Sequence, residues 1–97
     1  MKTAILEGTF MKVDITKGAR KFGYLIWTSK INDDFERLFQ GKNKIMVRLN
    51  GFDLGEKNID RKYHRISLGY KFTRALSKKH TAFSITLKND ILEVTTL

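Results

Sequence analysis

The Asn50-Gly51 pair is the feature of this sequence that most constrains its fold. Both residues tolerate the positive φ angles of a two-residue hairpin turn, and such a pair between two alternating runs is the strongest short-range indication of a β-hairpin. The alternation of apolar and polar residues is present on both sides, with Ile45, Val47 and Leu49 before the pair and Phe52 and Leu54 after it. The sequence therefore predicts a hairpin here.

The same period of two marks further strands elsewhere in the chain. Alternation of this kind is typical of a strand that buries one face. Asn89-Asp90 offers a turn between the last two strands, so we expect the C-terminal strand to be paired in the sheet. The apolar positions are Met11, Val13 and Ile15, then Ile66, Leu68 and Tyr70, then Phe83, Ile85 and Leu87, and finally Leu92 and Val94.

Residues Phe22 to Trp27 read FGYLIW, a continuous apolar run of strand length. Such a run favours a strand that is buried on both faces, and we predict it to be the central strand. Lys17-Gly18 is interpreted as a turn before it. The polar stretch from Gly55 to Lys62 is interpreted as a loop.

A short helix is predicted from Asp33 to Gln40. Asn32 is a good N-cap, and the two aspartates after it place negative charge at the positive end of the helix dipole. Gly41 supplies a stop. The apolar residues at helical spacing, which we expect to belong to the core, are Phe35, Leu38 and Phe39.

The length of 97 residues fits a single domain spanning residues 1–97, and 41% hydrophobic residues are enough for a core. Because cysteine is absent, neither a disulfide framework nor a thiolate metal site holds the fold. No apolar stretch has the length of a signal peptide or a membrane span. We therefore expect an intracellular, cytoplasmic protein whose fold is mainly β with one or two short helices.

A strand–helix–strand pattern occurs twice in the chain. The first unit contains Phe35-x-x-Leu38-Phe39 and ends in a strand at Leu49, and the second contains Phe72-x-x-Ala75-Leu76 and ends in a strand at Leu87. From about Phe22 to Val94, this order resembles the cradle-loop barrels, which include double-psi barrels and AbrB-type regulators. The resemblance implies a six-stranded α+β barrel with pseudo-twofold symmetry and DNA binding in transcription regulation. An OB-fold is the rival, but its helix normally follows three strands.

The positive charge is concentrated in one part of the chain. Nineteen lysines and arginines face ten acidic residues, which gives a net charge of +9. The stretch from Lys57 to Lys79 holds eight basic residues against Asp60 alone, and so contributes +7. Concentrated charge weakens a compact state by self-repulsion, which favours a polyanionic partner over a role in solubility alone.

Two basic regions are the candidate binding site. The larger region, from Lys57 to Lys79, contributes most of the predicted phosphate contacts. If its second half forms a helix, Lys71, Arg74 and Lys78 lie at i, i+3 and i+7 on one face. Tyr63 is either a stacking platform for unpaired bases or an inward-facing core residue. The predicted phosphate contacts of the larger region are Arg61, Lys62, Arg65, Lys71, Arg74, Lys78 and Lys79, and those that could extend it are Lys17, Arg20 and Lys21.

The residues that might carry chemistry do not form a catalytic pattern. His64 and His80 have no second ligand at metal-binding spacing, and Asp53, Glu56 and Asp60 match no nuclease spacing. There is no glycine-rich phosphate loop and no nucleophile elbow. We therefore predict a protein that is not an enzyme and uses no cofactor or metal.

The sequence thus predicts a non-enzymatic nucleic-acid-binding domain, with DNA favoured over RNA, duplex against single strand left open, and base readout unassigned. The alternative is a small accessory or inhibitory module that docks on an acidic surface of a larger protein machine. Binding to a membrane surface ranks last, because no amphipathic helix with a large apolar face accompanies the charge. A homodimer paired through an edge strand is a further possibility.

Overall fold

The structure is a computed structural model that describes residues 10–69 and 79–97. Strands dominate this part of the chain, and two short α-helices accompany them. The elements are β1 (Phe10–Asp14), α1 (Lys17–Phe22), β2 (Tyr24–Ile26), α2 (Asn32–Phe39), β3 (Lys44–Leu49), β4 (Phe52–Asp60), β5 (Arg65–Ser67), β6 (Ala82–Lys88) and β7 (Ile91–Thr96).

The strands of the described residues form one sheet in the order β1-β6-β7-β3-β4-β5-β2, which curls into a nearly closed barrel. The prediction of a mainly β fold with short helices is confirmed. The predicted number of six strands is wrong, because the sheet has seven. The resemblance that implied six strands covers only about Phe22 to Val94 and so leaves out β1, which pairs antiparallel with β6 from Phe10↔Thr86 to Asp14↔Ala82.

Both predicted two-residue turns are confirmed. Asn50 and Gly51 have φ angles of 49° and 86° and join β3 to β4, while Asn89 and Asp90, at 53° and 63°, join β6 to β7. All four angles lie in the left-handed region that such a turn requires. The alternation beside each turn places the apolar side chains in the core: Ile45, Val47, Leu49, Phe83, Ile85, Leu87, Leu92 and Val94.

The two hairpins are joined by a parallel pair between β3 and β7, with register from Met46↔Ile91 to Leu49↔Val94. The side chain of Asn50 adds a second link, because its Oδ1 accepts from the backbone N–H of Thr96 at 2.9 Å. The last strand is therefore held by β6 on one side and by β3 on the other, and the predicted pairing of the C-terminal strand is confirmed.

The run from Phe22 to Trp27 is not the central strand that we predicted. β2 lies at the end of the strand order and pairs with β5 through three residues. Leu25 is fully buried, but Tyr24 and Ile26 are only partly so, and Phe22 is 60% exposed as the last residue of α1. Gly23, with a φ angle of 80°, separates helix from strand, so the apolar run divides between two elements.

The predicted turn at Lys17-Gly18 is also wrong, because these residues begin α1. The hydroxyl of Thr16 accepts a hydrogen bond from the backbone N–H of Ala19 at 3.1 Å and so caps the helix. At the other end, the N–H of Gly23 donates to the carbonyl of Ala19. Ala19 is buried, and this single apolar position gives no helical periodicity that sequence analysis could detect.

The predicted loop from Gly55 to Lys62 forms most of β4 instead, which runs to Asp60. Its side chains are mostly polar because only Ile59 is buried. Backbone pairing with β3 on one side and β5 on the other holds the strand in place. A strand stabilised in this way shows no hydrophobic alternation.

The predicted helix is confirmed as α2, shifted by one residue at each end. Asn32 is its first residue and not its N-cap, because its side-chain oxygen accepts from Trp27 Nε1 at 2.9 Å. A 3-10 helix, Ser29–Ile31, leads into α2. Gln40 and Gly41 end it with φ angles of 52° and 75°.

The core is centred on α2 and the rings that pack against it. Phe35 stacks on Trp27 with ring centroids 4.3 Å apart and 12° between the planes, and Phe39 lies 5.5 Å from the same indole. Phe35, Leu38 and Phe39 are buried, as predicted. This cluster holds Trp27 and the start of α2 against the sheet.

The second unit of the predicted repeat falls partly outside the described residues, because the helix predicted around Phe72, Ala75 and Leu76 would fall in residues 70–78. The strands that the repeat makes equivalent, β2 and β5, pair with each other at Leu25↔Ile66. The pseudo-twofold symmetry stays a prediction. Within residues 10–69 and 79–97, no helix has the length and apolar character needed to cross a membrane.

Candidate nucleic-acid interface

Arg65, the first residue of β5, lies between two tyrosine rings on the outer face of the sheet. Its guanidinium carbon is 4.3 Å from the centroid of Tyr24 and 4.7 Å from that of Tyr63. The neighbouring residues Leu25 and Ile66 point into the core, so the alternation of both strands directs Tyr24 and Arg65 outward. The pairing of β2 with β5 thus assembles a stack of planar groups on the surface.

Asp60 holds this stack in position from the end of β4. One carboxylate oxygen accepts from Arg65 Nε at 3.1 Å, and the other accepts from the backbone N–H of Tyr63 at 3.2 Å. Desolvation acts to raise the pKa of Asp60, but the hydrogen bonds from Tyr63 and Arg65 and the charge of Arg65 outweigh it and hold the pKa below its ordinary value. Asp60 therefore stays ionised and fixes both partners.

Tyr63 points outward, which decides between the two orientations considered from the sequence. Its side chain is 55% exposed, in the turn that joins β4 to β5. The ammonium of Lys62 lies 5.3 Å from its ring centroid. One face of the turn thus combines a ring and two cations, Lys62 and Arg65.

A second exposed ring belongs to α1. Phe22 is 60% exposed, and the ammonium of Lys21 lies 5.4 Å from its centroid. Lys17, at the other end of the helix, is exposed as well. Only Gly23 separates Phe22 from Tyr24 in the sequence, and α1 contacts β2, the strand that carries Tyr24. We call the whole set the aromatic–basic strip: Lys17, Lys21, Phe22, Tyr24, Lys62, Tyr63 and Arg65.

The residues on either side of the 70–78 segment contact α1 and its C-cap. The carbonyl of Gly23 accepts from the backbone N–H groups of Leu68 and Gly69, at 2.7 and 3.1 Å. Arg20 donates to the carbonyl of His80. The basic region from Lys17 to Lys21 therefore lies beside the end of the larger basic region, because Lys79, which is exposed, immediately precedes His80. The predicted contacts Lys71, Arg74 and Lys78 lie outside the described residues.

Arg61, one of the predicted phosphate contacts, has its guanidinium bonded to three groups within the protein. Nε donates to the carboxylate of Glu36 at 2.9 Å, Nη1 donates to the side chain of Asn43 at 3.1 Å, and Nη2 donates to the carbonyl of Lys42 at 2.6 Å. These bonds tie the end of β4 to α2 and to the turn after it. Arg61 therefore has a structural role, and phosphate contact by it stays a prediction.

Of the three acidic residues considered for a metal site, Asp53 and Asp60 are paired with arginines, while Glu56 is exposed on β4. Asp53 accepts from Arg48 at 2.7 Å, and Glu93 accepts from the same guanidinium at 2.9 Å. Asp60 is bonded to Arg65, as described above. In the described ranges, no group of three histidine or acidic side chains is arranged to hold a metal ion. His64 stacks on Trp27, with 6.1 Å between the ring centroids.

A cleft opens between β1 and β2, the two ends of the strand order. Its volume is about 400 Å³. Its lining combines apolar side chains, among them Trp27 and Ile31, with two lysines, Lys12 and Lys30. The sequence contains no indication of this cleft, because its walls are adjacent only when the sheet curls round.

Phe22 and Tyr24 were not among the predicted binding residues, because the run from Phe22 to Trp27 was predicted to be a buried strand. Exposure of Phe22 follows from the left-handed Gly23, and the presence of a Lys-Phe-Gly sequence after Thr16 was a usable indication of a capped short helix.

No known protein family, no characterised protein and no solved structure matches this chain.

Proposed function

We propose that this domain binds nucleic acid through the aromatic–basic strip and carries out no reaction on it. The observation that carries the proposal is the contact of Arg65 with Tyr24 and with the exposed Tyr63, on a strand pair that adjoins the exposed Lys21 and Phe22 of α1. Cations hold the phosphate backbone, and aromatic faces accept bases. A DNA target and a regulatory role are favoured by the resemblance to AbrB-type regulators.

Charge supports the same conclusion. The net charge of +9 exceeds what solubility of a small domain requires, and phosphate neutralisation would relieve the resulting self-repulsion. Lys17 and Lys21 present their ammonium groups on α1, which lies beside the residues that flank the 70–78 segment. We propose that Lys71, Arg74, Lys78 and Lys79 extend this surface, so that one polyanion neutralises both basic regions.

A salt titration with a fluorescent DNA duplex and a single strand tests the proposal. We expect tight binding at about 50 mM salt and a loss of affinity of several hundred-fold or more at about 200 mM, because bound phosphates release counterions. Lys21→Ala should lower the slope of log affinity against log salt by about one unit, since one phosphate contact is lost.

Lys88→Ala is the matched control. It removes the same charge from an exposed position. Ala82, the first residue of β6, lies close in sequence to His80, which contacts α1, whereas Lys88 is the last residue of the strand, at its other end. We expect it to leave the slope unchanged. Equal effects of the two substitutions would show non-specific attraction to the whole surface, and absence of binding at low salt would refute the proposal.

A protein-binding module remains the second candidate, and the exposure of Phe52 favours it. This side chain is 67% exposed beside the Asn50-Gly51 turn and away from the strip. An exposed aromatic anchor supplies affinity while basic charge steers association with an acidic protein. The test is capture of one defined protein after nuclease treatment, lost on Phe52→Ser and kept in Lys21→Ala at physiological salt.

A further inference from the structure

We propose that Tyr63 is a base-stacking site, and that the nucleic acid bound by the strip is single-stranded around it. This inference rests on the proposed function and narrows the class of ligand. It is drawn from the order of planar groups around Arg65, from the exposure of the Tyr63 ring, and from the bonds that hold the turn in place.

The stack has a defined outer end. Tyr24 lies on β2, the Arg65 guanidinium covers it at 4.3 Å, and Tyr63 follows at 4.7 Å from the same guanidinium. A planar base placed against Tyr63 would continue this column as its next layer. Base stacking on aromatic side chains contributes to affinity with little dependence on sequence, because every base presents a π-face.

The Tyr63 platform is organised before any ligand arrives. Asp60 bonds the backbone N–H of Tyr63 with one oxygen and Arg65 with the other, so the backbone that carries the ring and the guanidinium beside it are held by the same carboxylate. His64, the next residue, has a left-handed φ of 51°, and its carbonyl accepts from the N–H of Trp27 at 3.0 Å. Ordering that is complete in the free protein lowers the entropic cost of binding.

The charges around Tyr63 fit the backbone of a stacked nucleotide. Lys62 lies 5.3 Å from the ring centroid and can meet the phosphate of a base stacked there. At the other end of the strip, Phe22 and Lys21 repeat this combination of an exposed ring and a lysine. A strand that follows the strip would therefore find a ring and a cation at both ends.

Duplex fits this arrangement poorly. In a duplex the faces of the bases are covered by their neighbours, so an exposed ring reaches phosphate, sugar and base edges but no base face. The rings of Tyr63 and Phe22 would then lie against a hydrophilic backbone and lose their apolar contact. Bases of a single strand are free to turn their faces to these rings, which is why single-stranded nucleic acid is the better ligand.

The test compares three probes of equal length, about twenty nucleotides: oligothymidine, an abasic strand with the same phosphates, and a duplex. We expect wild-type protein to bind oligothymidine roughly 5- to 100-fold more tightly than the abasic strand. Tyr63→Leu should clearly reduce this difference and leave only the part that stacking on Phe22 contributes, whereas Tyr63→Phe, which retains the ring, should keep it. Affinity for the abasic strand and the duplex should be the same in all three proteins.

The outcomes separate the inference from the proposed function. Equal affinity of the wild-type protein for oligothymidine and the abasic strand would overturn base stacking while leaving phosphate binding in place. The same holds if Tyr63→Leu and Tyr63→Phe weaken oligothymidine binding alike. Failure of all three probes to bind at about 50 mM salt would refute the proposed function itself. Circular dichroism and the unfolding midpoint establish that both variants are folded, as expected for an exposed side chain.

Discussion

Asp60 contributes to the fold and the candidate site through the same two hydrogen bonds. Its carboxylate orders the turn by accepting from the backbone of Tyr63, and it orients the Arg65 guanidinium that separates two tyrosine rings. From the sequence, this residue was grouped with Asp53 and Glu56 as a possible metal ligand. Its actual partner is five residues away, across a turn whose geometry the sequence did not reveal.

The lowered pKa of Asp60 predicts a pH-dependent contribution to stability. Because the folded-state pKa is below the unfolded value of about 3.9, the stabilisation is fully present above about pH 4 and is lost as the pH falls through the folded-state pKa. We expect Asp60→Asn to lower the free energy of unfolding in urea at pH 7. Its deficit relative to the wild type should become smaller below about pH 4.

Glu56→Gln is the control, because it removes a carboxylate from an exposed position on the same strand. Its unfolding free energy should follow the wild-type pH profile more closely than that of Asp60→Asn. If the deficit of Asp60→Asn were equal at pH 7 and at about pH 3, its carboxylate would not be stabilised by the bonds described.

At the scale of secondary-structure elements, the sequence predicted those features whose signal is local. The turn residues Asn50-Gly51 and Asn89-Asp90 specify both hairpins, and the spacing of Phe35, Leu38 and Phe39 specifies α2. The part of β4 from Gly55 to Asp60 could not be predicted, since Ile59 is its one buried side chain and its position depends on the neighbouring strands. α1 was missed because Ala19 is its one buried side chain.

Two glycine substitutions with opposite expected signs test these assignments. Gly51→Ala forces an L residue to adopt a φ of 86° and should destabilise the domain by about 1 kcal/mol, although the added Cβ would meet open space. Gly18→Ala lies in α1, where the nearest atom to the added Cβ is Thr16 Oγ1 at 4.0 Å. It should stabilise the domain by up to about 1 kcal/mol.

Urea unfolding of the two variants measures both effects. A destabilising Gly18→Ala would contradict the assignment of residues 17–22 to a helix, which is the element that presents Lys17 and Lys21. A neutral Gly51→Ala would show that the turn can adopt another conformation at little cost, and the hairpin register would then need to be reconsidered.

At the scale of the whole molecule, the aromatic–basic strip depends on long-range contacts that no local sequence pattern predicts. Tyr24 and Arg65 are about 40 residues apart in sequence and meet only because β2 pairs with β5. The concentration of charge between Lys57 and Lys79 could be read directly from the sequence. Which of those cations are bonded inside the protein could not, as the bonds of Arg61 to α2 illustrate.

The excess positive charge predicts that salt stabilises the free protein. At a net charge of +9, self-repulsion opposes the compact state, and screening weakens it. We expect the melting temperature to rise by a few degrees between about 10 and about 200 mM sodium chloride. Exposed ion pairs such as Arg37–Asp34 act in the opposite direction, but each contributes little.

Differential scanning calorimetry measures this shift, and Lys21→Ala provides a comparison because it removes one of the repelling charges. The salt-induced rise should be smaller in this variant. A melting temperature that fell with salt would mean that attractive ion pairs outweigh the repulsion between like charges. The net charge would then no longer support a polyanionic ligand.

The parallel pairing of β3 with β7 has a consequence for how the chain reaches its folded state. Each hairpin closes through a two-residue turn and can form early, whereas Met46 meets Ile91 only after a loop of about 45 residues has closed. Chains dominated by such distant pairings fold slowly, within milliseconds to seconds. The encounter of two preformed hairpins is therefore expected to limit the folding rate, and substitutions at this seam should slow folding more than they speed unfolding.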